Sequence, residues 1–204
     1  LSRIAEAIDN EAKPRSFALI GPYGSGKSAF GLYLSQLLGD QKTECTKTAV
    51  SVLATADPKL SRQINHALGE QLGFCNIRLT GSPDLLGKSL LCAARKALNE
   101  FFLKESTLHK QVLARIEEAL AEGVYEVGSI VSILYDIQEA VAQCGGCGVL
   151  IVIDELGKFL EHDLRHGGVR DIYLLQAISE HGFKSNDAPL ILVTLLHQSF
   201  EDYA

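Results

Sequence analysis

Two strand-length stretches constrain this chain more than any other feature. Gly148 to Ile153 is apolar throughout, and Leu190 to Leu196, entered from Pro189, is apolar except at Thr194. Successive side chains of a strand point to opposite faces, so a run without polar alternation has both faces covered, as in a parallel sheet under helices. The segments between follow helical spacing. Ile4, Ala5 and Ile8 mark a helix closed by Pro14, and Phe17 to Ile20 then reads as a strand. Phe30, Leu32, Leu34, Leu37 and Leu38 carry a helix to Gly39, which reads as its cap. Further helical patterns cover 47–55, 58–72, 83–104, 106–122, 129–143 and 170–180, with a short strand at Asn76 to Thr80. Strands alternating with helices predict an α/β domain with a mostly parallel sheet.

Between the first strand and its helix stands Gly21-Pro22-Tyr23-Gly24-Ser25-Gly26-Lys27-Ser28, which fits G-x-x-x-x-G-K-[ST] in the strand–loop–helix setting that the motif requires. Gly21, Gly24 and Gly26 allow turns that side chains forbid, so successive N–H groups can wrap an anion, and the helix opening at Lys27 adds its positive dipole end. Lys27 is expected to reach the β- and γ-phosphates of a nucleotide, and Ser28 to offer its hydroxyl to Mg²⁺. With Ala29, the stretch 21–29 is the candidate nucleotide-binding segment. The plain alternative is a chance glycine-rich turn with a surface lysine, and the flanking elements argue against it.

The apolar run from Gly148 ends in Asp154 and Glu155. A parallel strand brings its carboxyl end to the sheet edge that carries the glycine loop, so Asp154 is placed to hold Mg²⁺ opposite Ser28. Glu155 is then the candidate group that orients or deprotonates an attacking water. A nucleotide or metabolite kinase needs no such Glu. A GTPase is expected to show Asn-Lys-x-Asp, whereas Lys184-Ser-Asn-Asp187 has the wrong order and reads as a turn. ATP hydrolysis is favoured.

The third strand, Leu190 to Leu196, turns polar at its end in His197 and Gln198. This order of glycine loop, strand with Asp-Glu, and strand with a polar tip resembles the P-loop ATPases of the AAA+ and STAND type, the ASCE class that includes origin-recognition-like members. The likeness covers roughly 1–40 and 145–204. It implies a three-layer P-loop NTPase fold, with a helical insertion at about 41–143 between the strands of Gly21 and Asp154, because Lys27 and Asp154 stand 127 positions apart. It also implies a catalytic sensing role at the γ-phosphate for His197, where the family more often has Asn, with Thr194 and Gln198 as alternates. Ile4 and Ile8 would pack under the adenine, while ordinary core packing explains them equally well. A lid and an arginine finger would lie beyond the last residue. ABC ATPases have comparable spacing, but Leu-Ser-Gly-Gly-Gln is absent before Asp154. The runs Asp154 to Glu161 and His197 to Tyr203 also look like ATPase subunits of bacterial antiviral-defence or DNA-processing systems.

Composition narrows the partners. The 204 residues, 47% hydrophobic and 22% charged at a mean hydropathy of +0.11, exclude a disordered chain. A net charge of −6 does not support wrapping nucleic acid, though a local basic groove stays open. No apolar run reaches the roughly 18 residues of a membrane span and Leu1 opens no signal-peptide pattern, so a cytoplasmic protein without a membrane partner is expected. The odd count of five cysteines reads as reduced thiols. Cys144-Gly-Gly-Cys147 has metal or redox spacing but no second pair, and its glycines suit a turn. Arg165, Arg170, His162 and His166 read as a charged, solvated loop, or as groups facing a neighbouring subunit or polymer. The chain starts at Leu1 and holds no Met, which points to a piece of a larger protein or to residues missing from it.

The expectation is therefore an Mg²⁺-ATP-dependent ATPase. Its candidate catalytic residues are Lys27, Glu155 and His197, and its candidate metal ligands are Ser28 and Asp154. Hydrolysis would drive a conformational or assembly step through self-association or partner subunits. The alternative is a slow ATP-dependent oligomerising switch or scaffold with an effector elsewhere.

Overall fold

The two apolar runs lie side by side at the centre of one sheet. The computed structural model describes residues 1–10, 13–102, 107–166, 168, 170–184 and 188–198. The strands are β1 (Ser16–Ile20), β2 (Phe74–Thr80), β3 (Gly148–Asp154) and β4 (Leu190–Leu196), in the order β1-β4-β3-β2, and every pairing is parallel. All seven residues of β4 are buried, as are all of β3 except Asp154, whereas the edge strands β1 and β2 are partly exposed. Unbroken apolar sequence thus became central strand, and interrupted sequence became edge.

Nine helices are seen among the described residues: α1 (Ser2–Asp9), α2 (Lys27–Leu37), α3 (Glu44–Ala56), α4 (Pro58–Leu68), α5 (Leu86–Phe101), α6 (Thr107–Glu122), α7 (Val127–Gln143), α8 (Gly157–Arg165) and α9 (Arg170–Lys184). From β1 the chain crosses the whole sheet to β2, then steps back through β3 to β4. Right-handed connections running in opposite directions place their helices on opposite faces. Accordingly α1 to α4 pack with Leu150, Val152, Ile191, Val193 and Leu195, while α5 to α9 pack with Val149, Ile151, Ile153, Leu190 and Leu192. Adjacent strand residues divide between the two cores, as their pleat requires.

Several elements depart from the sequence expectations. The helix expected over 58–72 stops at Leu68, where Gly69 takes φ +56°, and the one expected from Pro83 begins at Leu86 after an Asp84 turn. The strand expected at Asn76 to Thr80 is present as β2 and begins two residues earlier, at Phe74, so the 41–143 insertion supplies the edge strand beside β3 as well as helices. The segment containing His162 and Arg165, read as a solvated loop, is mostly helix α8, with Phe159, Leu160 and Asp163 buried. Glu161 pairs with Arg165 at 3.6 Å along its outer face. Residues 185–187, within the expected 184–187 turn, and residues 199–204 lie outside the described residues.

Two carboxyl groups are buried where α5, α8 and α9 meet. Asp163 Oδ2 accepts the Asp171 N–H at 3.1 Å, and Asp171 Oδ2 accepts the Leu86 N–H at the start of α5 at 3.4 Å. Burial, and then the charge of Asp163, pushes Asp171 up from 3.8 to about 7, while the Leu86 amide and Arg170 act weakly in the opposite direction. The native state therefore binds this proton more tightly than the unfolded chain does. The associated stability is present below about pH 4 and is lost as pH rises through about 7. A shift of about three units corresponds to roughly 4 kcal/mol at most. Urea unfolding from pH 4 to 8 should show this decline, and Asp171→Asn should flatten it.

Candidate functional site

The carboxyl ends of all four strands lie at one edge of the sheet, where the helix after β1 leaves on one face and the helix after β3 on the other. Such a divergence opens a crevice for ligand. The glycine loop occupies this edge. Its root is fixed by the Gly21 N–H, which donates to Leu196 O at 3.2 Å, and Gly24 and Gly26 adopt φ +77° and +84°. These left-handed conformations suit glycine, and Gly26 is the N-cap immediately before α2. The Lys27 ammonium folds over the loop, donating to Gly21 O at 2.7 Å, Pro22 O at 2.8 Å and Ser25 Oγ at 3.2 Å. Most of the loop is open to solvent, Ala29 on the first turn of α2 included.

Asp154 ends β3, and its Oδ1 accepts the Glu155 N–H at 2.9 Å. Asp154 and Ser28, far apart in sequence, line a single groove of about 310 Å³ together with Gly31, Asn76, Arg78 and Thr80. A hydroxyl and a carboxylate on one groove form a hard-oxygen pair of the kind that Mg²⁺ prefers. Glu155 follows in a left-handed conformation, φ +51°, uncommon for a residue with a side chain. Gly81 permits it to stand there. A Cβ on Gly81 would come within 2.0 Å of Glu155 O, and the Gly81 N–H donates to Asp154 O at 2.7 Å.

The Glu155 carboxylate is engaged on one side by Lys158, whose Nζ stands 2.5 Å from Oε2, and on the other by His197, whose Nε2 is 3.9 Å from Oε1. Hydrogen bonding to Glu155 raises the Lys158 ammonium above its usual value. His197 stacks on Tyr23 with centroids 3.5 Å apart, and both ring nitrogens are buried without a hydrogen-bond partner. The tips of β3 and β4 and the glycine loop thus share one cluster.

Other residues singled out in the sequence lie elsewhere. Thr194 pairs in register with Ala18 inside the sheet, and its hydroxyl reaches toward Phe17 O rather than the tip, while Gln198 is exposed. Ile4 and Ile8, both on α1, take the ordinary core-packing role, Ile4 buried and Ile8 partly buried against the same cluster. The thiols of Cys144 and Cys147 donate to Val141 O and Leu68 O, on different helices, and no group of three metal-ligating side chains occurs among the described residues. Arg170 borders a separate hollow with Tyr125 and Glu126, and His166 bonds back to His162 O. Lys158 and Gly81 were not singled out from sequence. Lys158 becomes legible once α8 is known to begin at Gly157, because a helical turn then faces it toward Glu155. Gly81 carries no such signal.

Compared with protein-family models and with curated proteins, the chain matches none. No helix among the described residues is long and apolar enough to cross a membrane.

Paired glycine substitutions test the packing of this corner. Gly81→Ala should cost about 1–3 kcal/mol through overpacking against Glu155. Gly128→Ala, exposed in α7 with open space around the new Cβ, should be neutral or stabilise by up to about 1 kcal/mol. Urea midpoints of the two variants provide the measurement.

Proposed function

We propose that this chain is a P-loop ATPase of the AAA+/STAND type that binds Mg²⁺-ATP on residues 21–28 and hydrolyses it to drive a conformational or assembly step. The observation that carries this reading is the groove bringing Ser28 and Asp154 together at the sheet edge that also bears the glycine loop and Glu155. The four-stranded, all-parallel sheet between helical layers agrees with that fold.

In this reading the loop amides from Gly21 to Ser28 and the start of α2 hold the phosphates. Lys27 exchanges its loop carbonyls for phosphate oxygens. Ser28 and Asp154 hold Mg²⁺, which would neutralise charge on the β- and γ-phosphates. Glu155 takes a proton from the water that attacks the γ-phosphate, once Lys158, now 2.5 Å from Oε2, has moved off that oxygen. His197, stacked on Tyr23, senses the γ-phosphate from the tip of β4.

The Lys158 contact gives weight to a second reading, a slow ATP-dependent switch or scaffold that oligomerises. With Lys158 Nζ on Oε2, that carboxylate oxygen is already occupied. Single-turnover and steady-state assays separate the two readings. In the ATPase, Glu155→Gln should lower kcat by roughly 10²–10⁴-fold while retaining ATP. In a slow switch the same change should leave the ATP-driven assembly nearly unaltered. Lys27→Ala should abolish ATP binding in both, and wild-type chain that binds no ATP would remove both readings.

A further inference from the structure

The groove at Ser28 and Asp154 continues along β2. It shares Asn76, Arg78, Ala97 and Glu100 with a larger hollow of about 700 Å³, walled by Phe74, Phe101, Phe102 and Leu72. Among the described residues, β2 has ladder bonds to β3 alone. The Gly81 N–H donates inward to Asp154 O, and Gly73 O accepts from Cys147, so the odd-numbered residues face β3. On the other side the Phe74 N–H donates outward to Leu38 O at 2.7 Å. By the two-residue repeat, the backbone groups of Asn76, Arg78 and Thr80 also face outward, into the trough. An edge strand with its amides open in this way is a template for another strand.

Two side chains indicate what fits. Asn76 donates through Nδ2 to Ser35 O at 3.0 Å, but its Oδ1 is buried without a partner and calls for a donor. Arg78 is exposed at the junction of the two hollows and makes no ion pair with any described residue. Its neighbour Lys96 already lies 3.9 Å from Glu100. The trough therefore offers backbone hydrogen bonds, one unmatched acceptor, one unmatched cation and an aromatic hollow. A small ligand could fill the hollow, but only a polypeptide repeats donors and acceptors at the spacing of a strand edge.

We propose that the free edge of β2 binds an extended peptide segment of a partner protein, with an acidic side chain opposite Arg78 and an apolar side chain in the hollow beside Phe74 and Phe101. The seven residues of β2 provide an edge of roughly 20 Å. Its polar end adjoins Ser28 and Asp154.

The full chain is tested by selection of a random ten-residue peptide library displayed on phage, followed by binding of the enriched synthetic peptides. These should alternate apolar and polar residues around an Asp or Glu. Bound peptide should slow amide exchange at Asn76, Arg78 and Thr80 by at least about tenfold. It should also shield Cys45 and Cys144, both exposed along the trough, from maleimide while leaving the half-buried Cys92 unchanged. Arg78→Glu should weaken acidic peptides by about tenfold or more and favour Lys- or Arg-bearing ones. Absence of enrichment, peptides that leave those amides and thiols unprotected, or peptides indifferent to Arg78→Glu would each overturn the proposal.

Discussion

The last two carbonyls of β4 hold the site together. Leu196 O accepts the Gly21 N–H at the root of the glycine loop, and Leu195 O accepts the Leu156 N–H just after the Asp-Glu corner, each at 3.2 Å. One strand end therefore sets the distance between two segments more than a hundred residues apart. These bonds depend on β4 lying between β1 and β3, and hence on the burial of its seven residues between the two helical layers. A slip of one residue in that ladder would turn the whole apolar set of β4 to the wrong faces, so packing fixes the register that the site needs.

Strain and close approach are concentrated on the other side of the same corner. Glu155 leaves β3 in a left-handed conformation against a glycine at the end of β2, and its carboxylate lies between Lys158 and His197. A residue in such a backbone region persists where its surroundings over-determine it. Here those surroundings are the tips of β2 and β4 and the first turn of α8. The arrangement fixes where the carboxylate stands, and the Lys158 contact occupies one of its oxygens.

Much of this was legible beforehand because strong local patterns carried it. The central strands followed from apolar continuity, the loop from its glycine spacing between a strand and a helix, and most helices from their period. Helix α8 was obscured because its apolar residues are few and charges surround them, and only Phe159, Leu160 and Asp163 turning inward gives it an amphipathic face. Thr194 illustrates the limit of reading a strand tip from sequence alone. It looked close enough to the end to sense a ligand, but register places it beside Ala18 within the sheet.

The sequence by itself determined that a parallel α/β sheet would form and that a glycine loop, a lysine and a pair of acids would stand at strand ends, because these depend on periodicity and on the residues next to them. Sequence also set Asp154 opposite Ser28, but tertiary structure alone decided that Tyr23 stacks on His197 and that Lys158 holds Glu155. It also left the edge of β2 open beside an aromatic hollow. Each of these depends on strand order and register, which arise from burying both faces of β3 and β4 at once and cannot be summed from local preferences.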